Sequence, residues 1–317
     1  MIEHVISEVG RIFVGRQSEL IRLEGLWNLV QQKEEHLVYV FLNAPGVGKT
    51  TLIDHFGKNI EKDPKGLYIK YVCSAEYDSR SDLNKDLLYN IEENIQDKSK
   101  LIKQFLHEEK YQDRWNLIQK EFKKAISKDH ISLNDVSFIL KRMSSIIPIF
   151  FAADEIQELQ KLKFMPRGQI QDKETALHYF TRLLKNLLNS QVLLVLSGTR
   201  YHILNQIGGD LGSPIKQKVK PLIIQKFEER EVIDYVSEVE KLINIADISA
   251  DKNKINRFLG YYQRFLFAFS GGHPRTIENI TDHFLNYLQN LLSNDRYLSY
   301  EDFLTFLLPK LEEYFKN

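Results

Sequence analysis

The sequence predicts an α/β fold: a five-stranded parallel sheet wrapped by helices, with a helical insertion and a C-terminal α-helical domain. Three observations carry this. Short, densely apolar runs alternate with helical stretches, nothing between Asp82 and Ser145 reads as strand, and from Glu228 onward only helical periodicity appears. Strands alternating with helices build a parallel sheet, and a run of helices alone builds a separate layer. The expected division is 1–226 for the α/β domain, with an insertion over about 82–145, and 227–317 for the helical domain.

The elements follow in order. Glu19 to Gln32 reads as a helix with Leu20, Leu23, Trp27 and Val30 on one face. Leu37 to Leu42 is an unbroken apolar run, as expected of a strand buried on both faces. A glycine-containing loop follows, then a helix with Leu52, Ile53, Phe56 and Ile60 inward. Leu67 to Cys73 is a second strand. The insertion carries the helical stripes Leu83/Leu87/Ile91/Ile95 and Trp115/Ile118/Phe122/Ile126, and Ser132 with Asp135 forms a capping box before Val136. Ile146 to Ala153 is a third strand. Lys161 to Lys173, polar and holding Pro166 and Gly168, is an exposed loop. Glu174 to Asn189 is a helix, Val192 to Leu196 a fourth strand and Pro221 to Ile224 a short fifth.

Composition sets the outer limits. At 317 residues and 43% hydrophobic content the chain can bury a substantial core. Lys+Arg and Asp+Glu are both 43, so bulk charge gives no reason to expect a polyanion, although nucleic acid stays possible through a local patch. The basic stretch Lys120 to Lys128 interleaves with Phe122 and Ile126 at helical spacing and reads as a solvated face. Cys73 is alone, so no intramolecular disulfide forms, and its apolar strand makes it a core residue. There is no basic-then-apolar leader and no apolar run near the ~20 residues of a membrane span. A cytoplasmic protein without membrane contact is the expectation. The nine histidines lack metal-ligand spacing, so no structural zinc is expected.

The loop Asn43-Ala-Pro-Gly-Val-Gly-Lys-Thr-Thr51 nearly matches G-x-x-x-x-G-K-[ST], the phosphate-cradling (Walker A) pattern. Backbone N–H groups must converge on phosphate oxygens, glycines allow the close approach, and the following helix adds its positive dipole end. Ala44, Pro45, Gly46, Val47, Gly48, Lys49, Thr50 and Thr51 are the candidate nucleotide contacts. Lys49 would reach the β- and γ-phosphates, and Thr50 would place its hydroxyl on Mg²⁺. ATP with Mg²⁺ is the expected cofactor; no Asn-Lys-x-Asp stretch appears that would recognise guanine. Asn43 stands where the pattern has its first glycine, and asparagine tolerates a left-handed backbone better than other residues. The apolar strand Ile149-Phe-Phe-Ala-Ala ends in Asp154-Glu155, a Walker B pattern of the Asp-Glu type. Asp154 would hold Mg²⁺, and Glu155 would act as general base on the attacking water.

Three further stretches carry a family resemblance. Phe13-Val-Gly-Arg-Gln-Ser-Glu-Leu20 resembles the box that opens many AAA+-type P-loop ATPases. It is especially similar to that of the signal-transduction ATPases with numerous domains, the related archaeal ATPases and the origin-recognition-type initiators. The resemblance implies that Val14, Gly15 and Arg16 lie by the adenine or the phosphates. Leu194-Val-Leu-Ser-Gly-Thr-Arg200 resembles the sensor 1 strand of these ATPases, with Arg200 as γ-phosphate sensor and Ser197 or Thr199 as alternatives. Ser270-Gly-Gly-His-Pro-Arg275 resembles the G-x-P or sensor 2 motif, placing Pro274 against adenine and Arg275 on the γ-phosphate. The helical domain then becomes a lid.

The resemblance covers roughly residues 11 to 292 and implies an ATP-hydrolysing molecular switch whose lid reorients with nucleotide state. It is expected to be regulatory, in signalling or defence, and to act by self-assembly into a homo-oligomer or through a protein partner. Arg167, Arg182 and Arg264 are the conceivable arginine fingers. The alternatives are a DNA-associated ATPase of the initiator or transposition-helper kind, and a scaffold that binds ATP without hydrolysing it.

Overall fold

The structure is a computed structural model, and it describes residues 12–32, 38–77, 79–106, 109–164, 174–199, 219–245, 252–293 and 300–316. Two compact units form. One comprises residues 17–45 with 49–224; the other holds residues 12–16, residues 46–48 and the described residues from 225 onward.

The first unit is the sheet. Its strands are β1 (Val38–Leu42), β2 (Leu67–Val72), β3 (Ile149–Asp154), then, after the short antiparallel pair β4 (Lys163–Phe164) and β5 (Glu174–Thr175), β6 (Val192–Gly198) and β7 (Val219–Leu222). The five-stranded sheet has the order β2-β3-β6-β1-β7, and every pairing within it is parallel. This is the expected fold class. Each residue of β3 and β6 is buried, which explains why these strands read as continuous apolar runs rather than alternating ones. Because all five strands run the same way, the carboxyl ends of β1, β3 and β6 lie along one edge, where ligands of open α/β sheets bind. β6 separates β1 from β3.

Helix α1 (Gln17–Gln31) buries Leu20, Leu23, Trp27 and Val30, the stripe read from the sequence. Helix α2 (Lys49–Lys62) buries Leu52, Ile53, Phe56 and Ile60. The insertion is four helices: α3 (Arg80–Asp97), α4 (Ser99–Phe105), α5 (Glu109–Ile126) and α6 (Leu133–Ser144). Ser79 caps α3, and Ser132 and Asp135 cap α6 reciprocally. Helix α7 (Ala176–Leu187) packs Leu177, Phe180 and Leu184 inward.

Several boundaries differ from those expected. The third strand begins at Ile149, because Ile146 and Ile147 still hydrogen-bond back to Met143 at the end of α6. The fifth strand is Val219–Leu222, and its Pro221 is tolerated because β7 lies at the sheet edge. The stretch expected to be loop contains β4, paired with β5 in the register Lys163↔Thr175, while residues 165–173 lie outside the described residues. Helix α7 starts two residues late, because Thr175 turns out of the strand and its hydroxyl accepts from the His178 N–H at 3.1 Å.

Asn43 corrects the reading of the loop's first position. Its backbone is not among the left-handed residues, so tolerance of positive φ is not why asparagine stands there. Instead its Nδ2 donates to the Ile224 carbonyl at 2.8 Å, and its Oδ1 accepts from the Ile224 N–H at 3.1 Å. The side-chain amide supplies one more rung between the ends of β1 and β7, which a glycine could not do.

The second unit is helical: α8 (Glu229–Ile245), α9 (Lys252–Ser270), α10 (Pro274–Ser293) and α11 (Tyr300–Lys316). Its core stacks Tyr262 on Phe284 at 4.6 Å between ring centroids, with Phe303 edge-on to both rings. The buried Tyr262 hydroxyl is satisfied by Thr281 at 2.7 Å. Among the described residues no helix is long and apolar enough to cross a membrane.

Two stability measurements follow from this packing. A Cβ at Gly57, on the buried face of α2, would stand 2.4 Å from the ring of Tyr68. Gly57→Ala should therefore lower the unfolding free energy by about 1–3 kcal/mol, although alanine is the better helix former by about 1 kcal/mol; an unchanged denaturation midpoint would mean that the ring yields. Asn43→Ala and Asn43→Gly should each cost about 1–3 kcal/mol and speed hydrogen exchange at the Ile224 amide. The glycine variant would restore the usual pattern and still lose stability. Parent-like exchange at Ile224 would contradict the rung.

Candidate functional site

β1 ends at Leu42 and α2 begins at Lys49, so the connection between them is a tight loop. Gly46 and Gly48 have φ of 76° and 87°, the left-handed region that side chains rarely adopt. The first-turn N–H groups of α2 have no partner within the helix and carry its positive end, which suits an anion. Lys49 is 7% exposed, and its Nζ donates to the carbonyls of Asn43 at 2.8 Å and Ala44 at 2.9 Å. An ammonium has three donors, so one direction remains for a ligand oxygen. Burial lowers the Lys49 pKa, opposed by the negative fields of Glu155 and Asp154. Ala44, Pro45, Thr50 and Thr51 are exposed, and Val47 is buried.

The acidic strand end meets this helix directly. Thr50 Oγ1 donates to Asp154 Oδ2 at 2.6 Å, across 104 residues of sequence. Asp154 is 4% exposed, and its other oxygen accepts from the Glu155 N–H at 3.0 Å, which fixes the carboxylate's rotation. These two oxygens fit Mg²⁺, which is usually held by one or two protein oxygens together with phosphate and water. Among the described residues no three His, Cys, Asp or Glu side chains converge in a way that could hold a metal ion by themselves.

Glu155 follows β3 with φ 56°, also left-handed, and begins the 3-10 turn Ile156–Gln160. Gln157, in that turn and 7% exposed, donates its amide to Glu155 Oε2 and accepts the Thr199 N–H at 3.3 Å. Sequence reasoning missed Gln157. Its only signal was a polar side chain two residues beyond an acidic strand end. Cys73 is buried, with its thiol pKa raised well above the ordinary value by desolvation, then by Asp154 and Glu155. That is a core residue rather than a nucleophile.

In β6, Ser197 is completely buried and, among the described residues, its Oγ has no hydrogen-bond partner. Thr199 follows the end of β6. Arg200 and Arg167 lie outside the described residues. Arg182 is exposed on α7, its guanidinium 5.3 Å from the Tyr179 ring centroid, and Arg264 is exposed on α9.

The helical unit brings the remaining candidates together around residues 46–48. Arg16, 4% exposed and left-handed at φ 68°, donates to the Val47 carbonyl at 2.9 Å and to the Gln225 carbonyl, and its guanidinium lies 4.5 Å from the centroid of the Phe227 ring. It holds the backbone of the loop tip and the root of α8. Val14 packs at the edge of the aromatic core, and Gly15 has φ 65°. Pro274 opens α10, where its missing N–H costs nothing. The next residue, Arg275, donates its backbone N–H to the Gly46 carbonyl at 3.1 Å. A Cβ at Gly46 would stand 2.7 Å from the Arg275 Cβ, so the glycine is required by this contact as well as by its φ.

No family model matches the chain, and no curated protein matches it by sequence. Solved structures do. The ORC2 protein of Aeropyrum pernix, in its ADP form, superposes with a TM-score of 0.56 at 12% identity, over 93% of this chain and 68% of that one. The ORC1 protein of the same organism, solved in complex with DNA, gives 0.51 at 14% identity, over 96% of this chain and 68% of that one. At such identities the likeness is one of fold. The chain has the P-loop NTPase (AAA+-like) fold: a five-stranded parallel sheet with helices, and a C-terminal helical unit.

Proposed function

We propose that this protein is a Mg²⁺-dependent ATPase switch, and that it works in association with DNA. One observation carries the catalytic half: Thr50 and Asp154, the two expected metal ligands, meet at 2.6 Å beside the buried Lys49. In this reading Lys49 donates to the β- and γ-phosphate oxygens, and Thr50 and Asp154 would hold Mg²⁺, which would supply charge neutralisation at the phosphoryl group. Glu155 accepts a proton from the water whose oxygen attacks the γ-phosphorus. The bond to the β–γ bridging oxygen breaks, giving ADP and phosphate. Arg275 and Pro274, on the helical unit, and Arg200, beyond β6, complete the assignment as readers of the nucleotide. In this reading a change at the γ-phosphate biases the lid between two states. ATP and ADP are the ligands, and assembly with further copies or with a protein partner completes the switch.

The DNA half is supported by the fold comparison. Both superposed proteins are origin-recognition proteins, and one was solved on DNA. With zero net charge, this reading calls for a local basic face rather than a generally basic surface. A regulatory role in signalling or defence is the second reading, favoured by the Phe13–Leu20 and Ser270–Arg275 resemblances.

Glu155→Gln should keep ATP affinity and lower turnover by about 10²–10⁴-fold; parent-like turnover would remove Glu155 from the chemistry. Lys49→Ala should weaken ATP binding by about 10- to 100-fold, the worth of one hydrogen bond to a charged group. Retention on duplex DNA, measured with ATP and Mg²⁺ at increasing salt, should fall linearly on a log–log plot. No retention at about 50 mM salt would reject the DNA reading and leave the signalling one.

A further inference from the structure

β3 and β6 are neighbours in the sheet, and the Gln157 side chain bridges their ends. Gln157 donates to Glu155 Oε2, and its own carbonyl accepts the Thr199 N–H at 3.3 Å, just past the end of β6. The side chain is 7% exposed, so water competes weakly for either contact. A glycine at 198 leaves room for it. A Cβ at Gly198 would stand 3.0 Å from Gln157 Oε1 and 2.9 Å from Ile156 Cγ1. Glu155 would otherwise be poorly determined. It follows the strand, its backbone is left-handed, and a glutamate has three side-chain torsions to fix.

We propose that Gln157 is a positioning residue: it holds the Glu155 carboxylate in register with the end of β6, so that a displacement of that strand end is passed to the general base. The inference rests on the assignment of Glu155 as base. A buried primary amide suits the task because it presents a donor to the carboxylate and an acceptor to a backbone N–H at the same time. A hydroxyl is too short to span both, and a second carboxylate would repel the first. General-base catalysis demands that the base sit within hydrogen-bond reach of the water, and small misplacements are costly.

The test uses the full chain with ATP and Mg²⁺. Gln157→Met keeps the side chain's length and volume but removes both polar groups. It should lower kcat by about 10-fold while leaving the KM for ATP, and the affinity for a non-hydrolysable ATP analogue, at parent values. Gly198→Ala, which displaces the same amide by steric contact, should produce the same loss, and the double variant should be no slower than either single one. A parent-like or raised kcat in Gln157→Met would overturn the proposal, as would losses that multiply in the double variant. Analogue affinity reports that each variant is folded. Glu155→Gln separates the two layers. If it turns over like the parent, the base assignment falls and this inference with it; if it is inactive while Gln157→Met is fully active, only the tie falls.

Discussion

The hydrogen bond between Thr50 and Asp154 is the constraint on which the rest of the site depends. It joins the first turn of α2 to the end of β3, although β6 lies between β3 and the strand that leads into α2. Asp154 is almost completely buried, so its Oδ2 takes a hydrogen bond from the exposed Thr50 hydroxyl, 2.6 Å away, where bulk water has little access to the carboxylate. The second carboxylate oxygen is already taken by the Glu155 N–H, which leaves Asp154 one orientation. Lys49, one residue before Thr50, has its charge desolvated at the same place and partly compensated by the two acids. The proposed metal, phosphate and base positions all fall within this one local arrangement.

That arrangement is held from outside the chemistry. Asn43 ties the end of β1 to Ile224 through a two-point amide contact. Within the helical unit, Arg16 and the Arg275 N–H fix the carbonyls of Val47 and Gly46. Most of the loop's geometry is thus imposed by backbone carbonyls with named donors. A loop fixed this way loses little conformational entropy when a ligand arrives, which is the usual advantage of preorganisation.

Much of this was legible in the sequence because it depends on local chemistry. The strands announce themselves as apolar runs, since burial on both faces leaves no polar alternation. The glycines of the loop are demanded by their own backbone angles. What was not legible depends on distant partners or on very short elements. Asn43 reads as a flaw until Ile224, 181 residues away, is seen beside it. Gln157 carries no pattern; its role appears only when Thr199 and Gly198 are placed next to it. The β4–β5 pair has two residues in each strand, too few to show any periodicity. The break between α3 and α4 falls at Lys98, whose side chain is drawn to Glu61 and the Tyr68 carbonyl, contacts that no helical stripe foretells.

Among the described residues, two that are not glycine adopt a left-handed backbone: Arg16 and Glu155. For an ordinary side chain that conformation costs about 1–2 kcal/mol, and glycine or asparagine would occupy either position with less strain. A chain selected only for folding would drift toward those residues. That an arginine and a glutamate stand there instead means that their side chains are worth more than the backbone cost. Strain of this kind marks a requirement that a single sequence and its structure can reveal without any record of which residues have been preserved.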